Sequence, residues 1–238
     1  MARMRPKKNL QKRLDVCKDR WFENPEENKG RWREVCGFPA DAPVYLEIGC
    51  GKGKFAAEMA VRTPDALYIA VERDASCCLL AMEKAHKNEI SNLFFMNIDA
   101  QHLIDYFEDD EIDKIYLNFS DPWTRQNKPK RRLTYRTFLA EYKKVMKKGS
   151  TITFKTDNDD LFDFSVAEFA ACGFELSELT RDLHNSEFDA DNVRTEFEQK
   201  FADQGINIKR VVATYVSDVQ APEEVKKRDI SASREIKE

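Results

Sequence analysis

The chain has 238 residues, 42% of them hydrophobic and 34% charged, enough for one large domain with a sizeable core under a heavily charged surface. Its net charge of −4 argues against a uniformly basic nucleic-acid binder. No run approaches the roughly 18 apolar residues of a membrane span, and no charged-then-apolar leader opens the chain, so a soluble, cytoplasmic protein without a membrane partner is expected.

Six cysteines (17, 36, 50, 77, 78, 172) form no C-x-x-C pair, and His86, His102 and His184 lie far apart. That spacing offers no zinc site and predicts reduced, mostly buried thiols and no metal. Charge is segregated. Residues 1–20 hold eight Lys/Arg against two acids, and residues 122–148 hold ten against Glu141 alone. Such clusters can steer a polyanion onto one face of a protein whose total charge is negative. A solvated helix face and a loose tail explain either cluster equally well.

In chain order, residues 1–43 lack strong periodicity. The first dozen read as disordered, and Trp21, Phe22 and Trp32 predict that the later part packs onto the body. An alternation then begins. Strands are expected at 44–50 (VYLEIGC), 67–73 (LYIAVER), 93–99 (LFFMNID), 114–120 (KIYLNFS) and 150–157 (STITFKTD). Helices are expected between them at 54–62, 75–88, 100–107 and about 134–147, the last stopped by Lys148-Gly149. A further helix spans 159–171. Continuous apolar strands alternating with helices mean a parallel sheet covered on both faces. The rhythm breaks at the end, with a strand at 174–180, a helix at 195–205 and a last strand at 208–216. Thr195 and Glu198 form a capping-box pattern at that helix. The expected parts are an arm and packing segment at 1–43, a domain at 44–216 and a charged tail at 217–238.

The first strand runs into Gly49, Gly51 and Gly53. In an open parallel sheet, ligands bind at the carboxyl ends of strands near the point where strand order reverses. The spacing is G-x-G-x-G, not the G-x-G-x-x-G of dinucleotide sites, and no G-K-[ST] follows for a phosphate loop. Acids end three successive strands: Glu47 just before the glycines, Glu72, and Asp99. Three carboxylates cradle a phosphate poorly. They suit a ligand with a ribose, an adenine amine and an ammonium group, which S-adenosylmethionine has without any phosphate. The bland alternative, glycines that only turn the chain and acids that cap helices, has equal weight for the glycine turn alone.

After the fourth strand comes FSDPWTRQNKPKRR (119–132), which joins Asp121, a rigid proline, Trp123 and a basic run. Aromatic planes beside cations form a natural nucleic-acid surface, although without the cofactor site an exposed basic loop is the simpler reading. With LEIGCGKG, AVER, D-P-W and its downstream K-R-R, FKTDN and T-E-F-E in order, the chain from about Tyr45 to Tyr215 closely resembles the bacterial tRNA (guanine-N7-)-methyltransferases. The resemblance implies a class I, Rossmann-like α/β fold: a seven-stranded, mostly parallel sheet with an antiparallel last strand and helices on both faces. It implies S-adenosylmethionine bound by Glu47, the three glycines, Glu72 and Asp99, with Asp121 close by at the catalytic position. It places tRNA contacts at Arg125, Asn127, Lys128, Lys130, Arg131, Arg132, Asp157, Thr195 and Glu198. Family members methylate N7 of a guanosine in the tRNA variable loop, position 46 in tRNA numbering, as monomers or homodimers. The usual D-P-W-P-K-K-R-H reads D-P-W-T-R-Q-N-K here, and arginine for lysine at residue 125 keeps the charge while changing its geometry. Rival readings are a methyltransferase on another acceptor, a non-catalytic RNA-binding module, and a nicotinamide oxidoreductase, which the glycine spacing disfavours.

Overall fold

A computed structural model describes residues 9–124 and 128–219. The expectations for Arg125, Asn127, the first eight residues and the tail from 220 onward lie outside them. Seven strands form one sheet: β1 Val44–Ile48, β2 Leu67–Val71, β3 Leu93–Met96, β4 Ile112–Asn118, β5 Met146–Thr156, β6 Phe174–Thr180 and β7 Lys209–Tyr215. Their order is β3-β2-β1-β4-β5-β7-β6, with β7 antiparallel to both its neighbours and the other pairings parallel. The chain works outward from β1 to β3, then crosses back to β4 on the other side of β1. The sheet therefore has its switch point between β1 and β4, and the crevice there faces the carboxyl ends of both strands.

Strand alternation sorts the core into two layers. Val44, Leu46 and Ile48 of β1 point to a face covered by Trp32 and by α5 (Arg136–Val145) and α6 (Asp159–Ala171), whose Leu139, Tyr142, Phe162 and Phe169 are fully buried. Tyr68, Ala70, Phe95 and Tyr116 point to the other face, packed on Phe55, Ala56 and Ala60 of α3 (Lys54–Arg62) and on Cys78, Met82 and Ala85 of α4 (Ala75–Lys87). A smaller cluster joins Phe119 to Leu183 and Ile208.

The N-terminal segment packs against this body. A helix, α1 (Leu10–Val16), corrects the expectation that the whole first dozen is disordered. It is anchored by a paired Arg13–Glu83 contact at 2.6 Å to α4. Trp21 bridges to Phe95 at the sheet edge, and buried Trp32, which opens the short α2 (Trp32–Val35), donates its indole N–H to the Tyr106 carbonyl at 2.8 Å. Three expected boundaries also move. The turn after β3 is a short 3-10 piece at Leu103–Asp105, not a helix over 100–107. The helix before β5 ends at Val145, because Met146 already pairs with Ile112 and the chain turns at Gly149 (φ +90°) inside the strand. β2 and β3 stop short of Glu72 and Asp99, whose carboxylates take backbone N–H groups of the loops that follow.

Candidate methyl-transfer site

The strand ends place Glu47, Glu72, Asp99, Asp121 and Asp157 along the carboxyl edge of five adjacent strands, on both sides of the switch point. Glu47 lies on the α3 face of β1 and is 2% exposed. Its Oε1 accepts from Asn118 Nδ2 at 3.0 Å. Two acceptor atoms there, Glu47 Oε2 and Asn118 Oδ1, are buried with no partner. Burial pushes the Glu47 carboxyl up to about 7, against the pull of the Asn118 hydrogen bond, the Lys155 charge and the Ala56 N–H of α3, which lies near the carboxylate without completing a hydrogen bond to Oε2. Two orphaned buried acceptors are costly in isolation. They fit a ligand that brings a cation with several N–H donors, and the ammonium end of S-adenosylmethionine is such a group.

The glycine turn is built around the second acid. Glu72 accepts from Gly51 N at 3.0 Å and from Asp74 N at 2.8 Å, so one carboxylate ties the turn after β1 to the loop after β2. Gly53 (φ +69°) has a separate reason to be glycine: a Cβ there would come within 2.7 Å of the Ala81 Cβ. Its absence lets α3 approach α4. A Cβ at Gly49 or Gly51 meets nothing within 4 Å, so those two positions border open space. Asp99 is exposed, caps Gln101 N at 3.2 Å and pairs with Arg73 at 3.5 Å.

Asp121 sits in a half-exposed loop between two aromatic residues of positive φ, Phe119 at 53° and Trp123 at 43°. Bulky residues rarely adopt that region, and such outliers cluster at functional sites. The basic run folds back on this loop through a 3-10 turn at Pro129–Arg131. Arg131 lies 5.0 Å and Lys128 6.0 Å from the Trp123 ring, while Arg132 donates to the Pro122 carbonyl at 2.9 Å and stands 4.4 Å over Phe164. Lys130 and Arg131 are exposed and Asp157 is half-buried.

Thr195 and Glu198 are placed differently from the expectation that they touch RNA. They begin α7 (Glu196–Ala202) as a complete capping box, and both are buried. Glu198 is fully enclosed and its oxygens accept from Lys155 Nζ at 2.6 Å, His184 Nε2 at 2.9 Å, Asn192 Nδ2 at 2.6 Å and Thr195 N at 3.4 Å. Burial works to raise this carboxyl, but Lys155 and the hydrogen bonds outweigh it and hold it below its ordinary value. Sequence reasoning also passed over Asn118 and Lys155. A lone lysine in the apolar run ITFKT, on the same strand parity as the site, was the available signal.

Among the described residues no cluster of His, Cys, Asp and Glu could hold a metal, and no helix is long and apolar enough to cross a membrane. A Rossmann-like sheet whose switch point presents buried acceptors to a cationic ligand and adjoins a D-P-W loop defines a class I methyltransferase. The family model described as "Putative methyltransferase" matches residues 41–211. A tRNA (guanine-N(7)-)-methyltransferase of Geobacillus sp. (strain WCH70) is 46% identical over 192 residues, covering 81% of this chain and 86% of that one. One of Bacillus cytotoxicus is 45% identical over the same length, covering 81% and 87%. The chain belongs to the tRNA (guanine-N(7)-)-methyltransferase family. The fold extends to far more distant sequences: the solved 16S rRNA methyltransferase KamB superposes with a TM-score of 0.60 at 14% identity, covering 79% of this chain and 94% of that one.

Proposed function

We propose that the chain, acting in the cytoplasm, methylates N7 of a guanosine in the tRNA variable loop, position 46, and that residues 44–216 carry this reaction between a basic arm at 1–43 and a charged tail at 217–238. The observation that carries the reading is the orphaned acceptor pair Glu47 Oε2 and Asn118 Oδ1, which flanks the switch point on β1 and β4, the second strand running directly into the Asp121 loop. S-adenosylmethionine supplies an electrophilic methyl group on a positively charged sulfur. Glu47 and Asn118 hold its ammonium end. Glu72 accepts from its ribose hydroxyls while bracing the glycine turn, and Asp99 faces the adenine amine. Gly49 and Gly51 let the backbone approach the ligand closely, and Gly53 lets α3 close on α4 behind that turn.

Guanine N7 carries an in-plane lone pair and needs no deprotonation, so the protein's task is alignment, which can supply as much as ~7–11 kcal/mol. Positive charge grows on the guanine as the N–C bond forms and the methyl–sulfur bond breaks, its electron pair staying on sulfur as neutral S-adenosylhomocysteine leaves. The Asp121 carboxylate, fixed between Phe119 and Trp123, stabilises that charge and can accept from the N1–H/N2–H edge of the ring. Asp157, at the end of β5, helps hold the base. Lys128, Lys130, Arg131 and Arg132 meet the phosphates beside the Trp123 plane, and Arg125 and Asn127 contact the same RNA.

Purified protein incubated with methyl-labelled S-adenosylmethionine and bulk tRNA from a strain lacking this modification tests the reading. Borohydride–aniline cleavage should then give a single cut, in the variable loop. Label in tRNA with a cut elsewhere would refute position 46, and no label in tRNA would refute the acceptor.

A further inference from the structure

Lys155 is a buried cation that the transfer chemistry above does not use. It is 2% exposed, and burial pulls its ammonium below the ordinary lysine value. Its backbone and side chain reach different parts of the site. Its carbonyl accepts from Phe119 N at 2.9 Å, two residues before Asp121. Its Nζ donates to Glu198 at 2.6 Å, to the Val193 carbonyl at 2.8 Å and to Asn192 Oδ1 at 3.0 Å, all in the connection between β6 and β7. Register sets it beside Asn118, which bonds Glu47, and on its other side beside Arg210 of β7. The Phe55 ring of α3 lies 5.1 Å from the ammonium. A second link repeats the first in apolar form: Phe119 stacks on Phe201 of α7 at 5.9 Å.

We propose that Lys155 is a positioning residue for methyl transfer. Its side chain clamps the α7 segment, through Glu198, against the same strand end that fixes the Asp121 loop, and its charge supports the Glu47 carboxylate. A buried ion pair is not needed for this fold to be stable. Replacing both partners by neutral groups of similar size is often neutral or stabilising, whereas removing one partner strands the other. Stability and positioning can therefore be separated by experiment. The inference rests on the tRNA reading, because the loop it positions is the one assigned to the guanine.

The test compares the parent protein, Lys155→Met, Glu198→Gln and the Lys155→Met/Glu198→Gln pair. Thermal unfolding, kcat and KM for tRNA, and S-adenosylhomocysteine affinity across about pH 6 to 9 are measured for each. The pair should unfold close to the parent temperature, yet keep kcat down by about tenfold or more. The fall in its S-adenosylhomocysteine affinity at acid pH should begin at higher pH than in the parent, because Glu47 has lost a supporting cation. Glu198→Gln strands the buried Lys155 without its counter-ion and should lose both kcat and unfolding temperature, the second of which the pair recovers. A pair with parent kcat and an unmoved acid limb overturns the proposal. If the pair does not fold, parent-like kcat in Glu198→Gln overturns it and a lowered kcat supports it. If the parent itself labels no tRNA, the tRNA reading fails, and the movement of the acid limb still decides whether Lys155 acts on Glu47.

Discussion

Replacing Glu47 by glutamine should make the free protein more stable and a worse enzyme. The carboxyl is raised from 4.5 to about 7, chiefly by burial. At about 1.4 kcal/mol per pH unit, that is about 3 kcal/mol. The sign follows from which state holds the proton more tightly. Below about pH 4.5 both folded and unfolded chains carry a protonated Glu47, and the site has no cost. Between pH 4.5 and about 7 the unfolded chain ionises first, so the folded state loses stability as pH rises. Above about 7 the full penalty is present. Glutamine removes the charge and adds an N–H donor beside an orphaned Asn118 oxygen. At about pH 8 the variant should unfold up to ~6–12 °C higher than the parent, an upper limit that assumes no new strain. At about pH 4.5 the two should converge. S-adenosylhomocysteine affinity by calorimetry should fall about 10- to 100-fold at about pH 8, the worth of one hydrogen bond to a charged group. A variant no more stable than the parent at about pH 8, or one that binds S-adenosylhomocysteine equally well, would show that the buried carboxylate is not held in reserve for a cation.

Four further outcomes are expected. Asp121→Asn should lower kcat by about 100-fold with S-adenosylhomocysteine affinity kept; an unchanged kcat removes Asp121 from the reaction. Glu72→Ala frees the N–H groups of Gly51 and Asp74 together, and should weaken S-adenosylhomocysteine binding by about tenfold or more, so equal affinity would place the ribose elsewhere. Lys128→Ala and Arg131→Ala should each reduce the slope of log affinity for tRNA against log salt by about one, and an unaltered slope means that neither meets a phosphate. Gly53→Ala must accept both a positive φ and a Cβ 2.7 Å from Ala81. A loss of about 1–3 kcal/mol is expected in urea unfolding, and a midpoint equal to the parent's would contradict the close approach of α3 to α4.

The sheet was readable because its strands are continuous apolar runs punctuated by glycine and proline, and the single antiparallel strand shows where the alternation fails. The acids of β1 and of the turns just past β2 and β3 were readable for a related reason: each is a charged residue within or directly after an apolar run. Boundaries were less so. Gly149 looks like a helix stop, yet it turns the chain inside β5 because Met146 is already paired. The T-E-F-E stretch shows the deeper limit. Its capping-box pattern is local and was visible, but whether Glu198 faces solvent or Lys155 depends on a contact 43 residues away in the chain. Asn118 is hidden for the same reason, since its value lies in a hydrogen bond from β4 to β1.

Strands β6 and β7 are antiparallel neighbours, and two residues would suffice to join them. Residues 181–208 make that connection instead, carrying three short helical pieces and the buried Glu198. Everything in this excursion beyond a tight turn is surplus to closing the sheet. Lengthening such a connection costs little in loop entropy. The connection is thus an insert attached at two adjacent strand ends, and any shorter or exchanged version must still bring a partner to the buried Lys155 of β5.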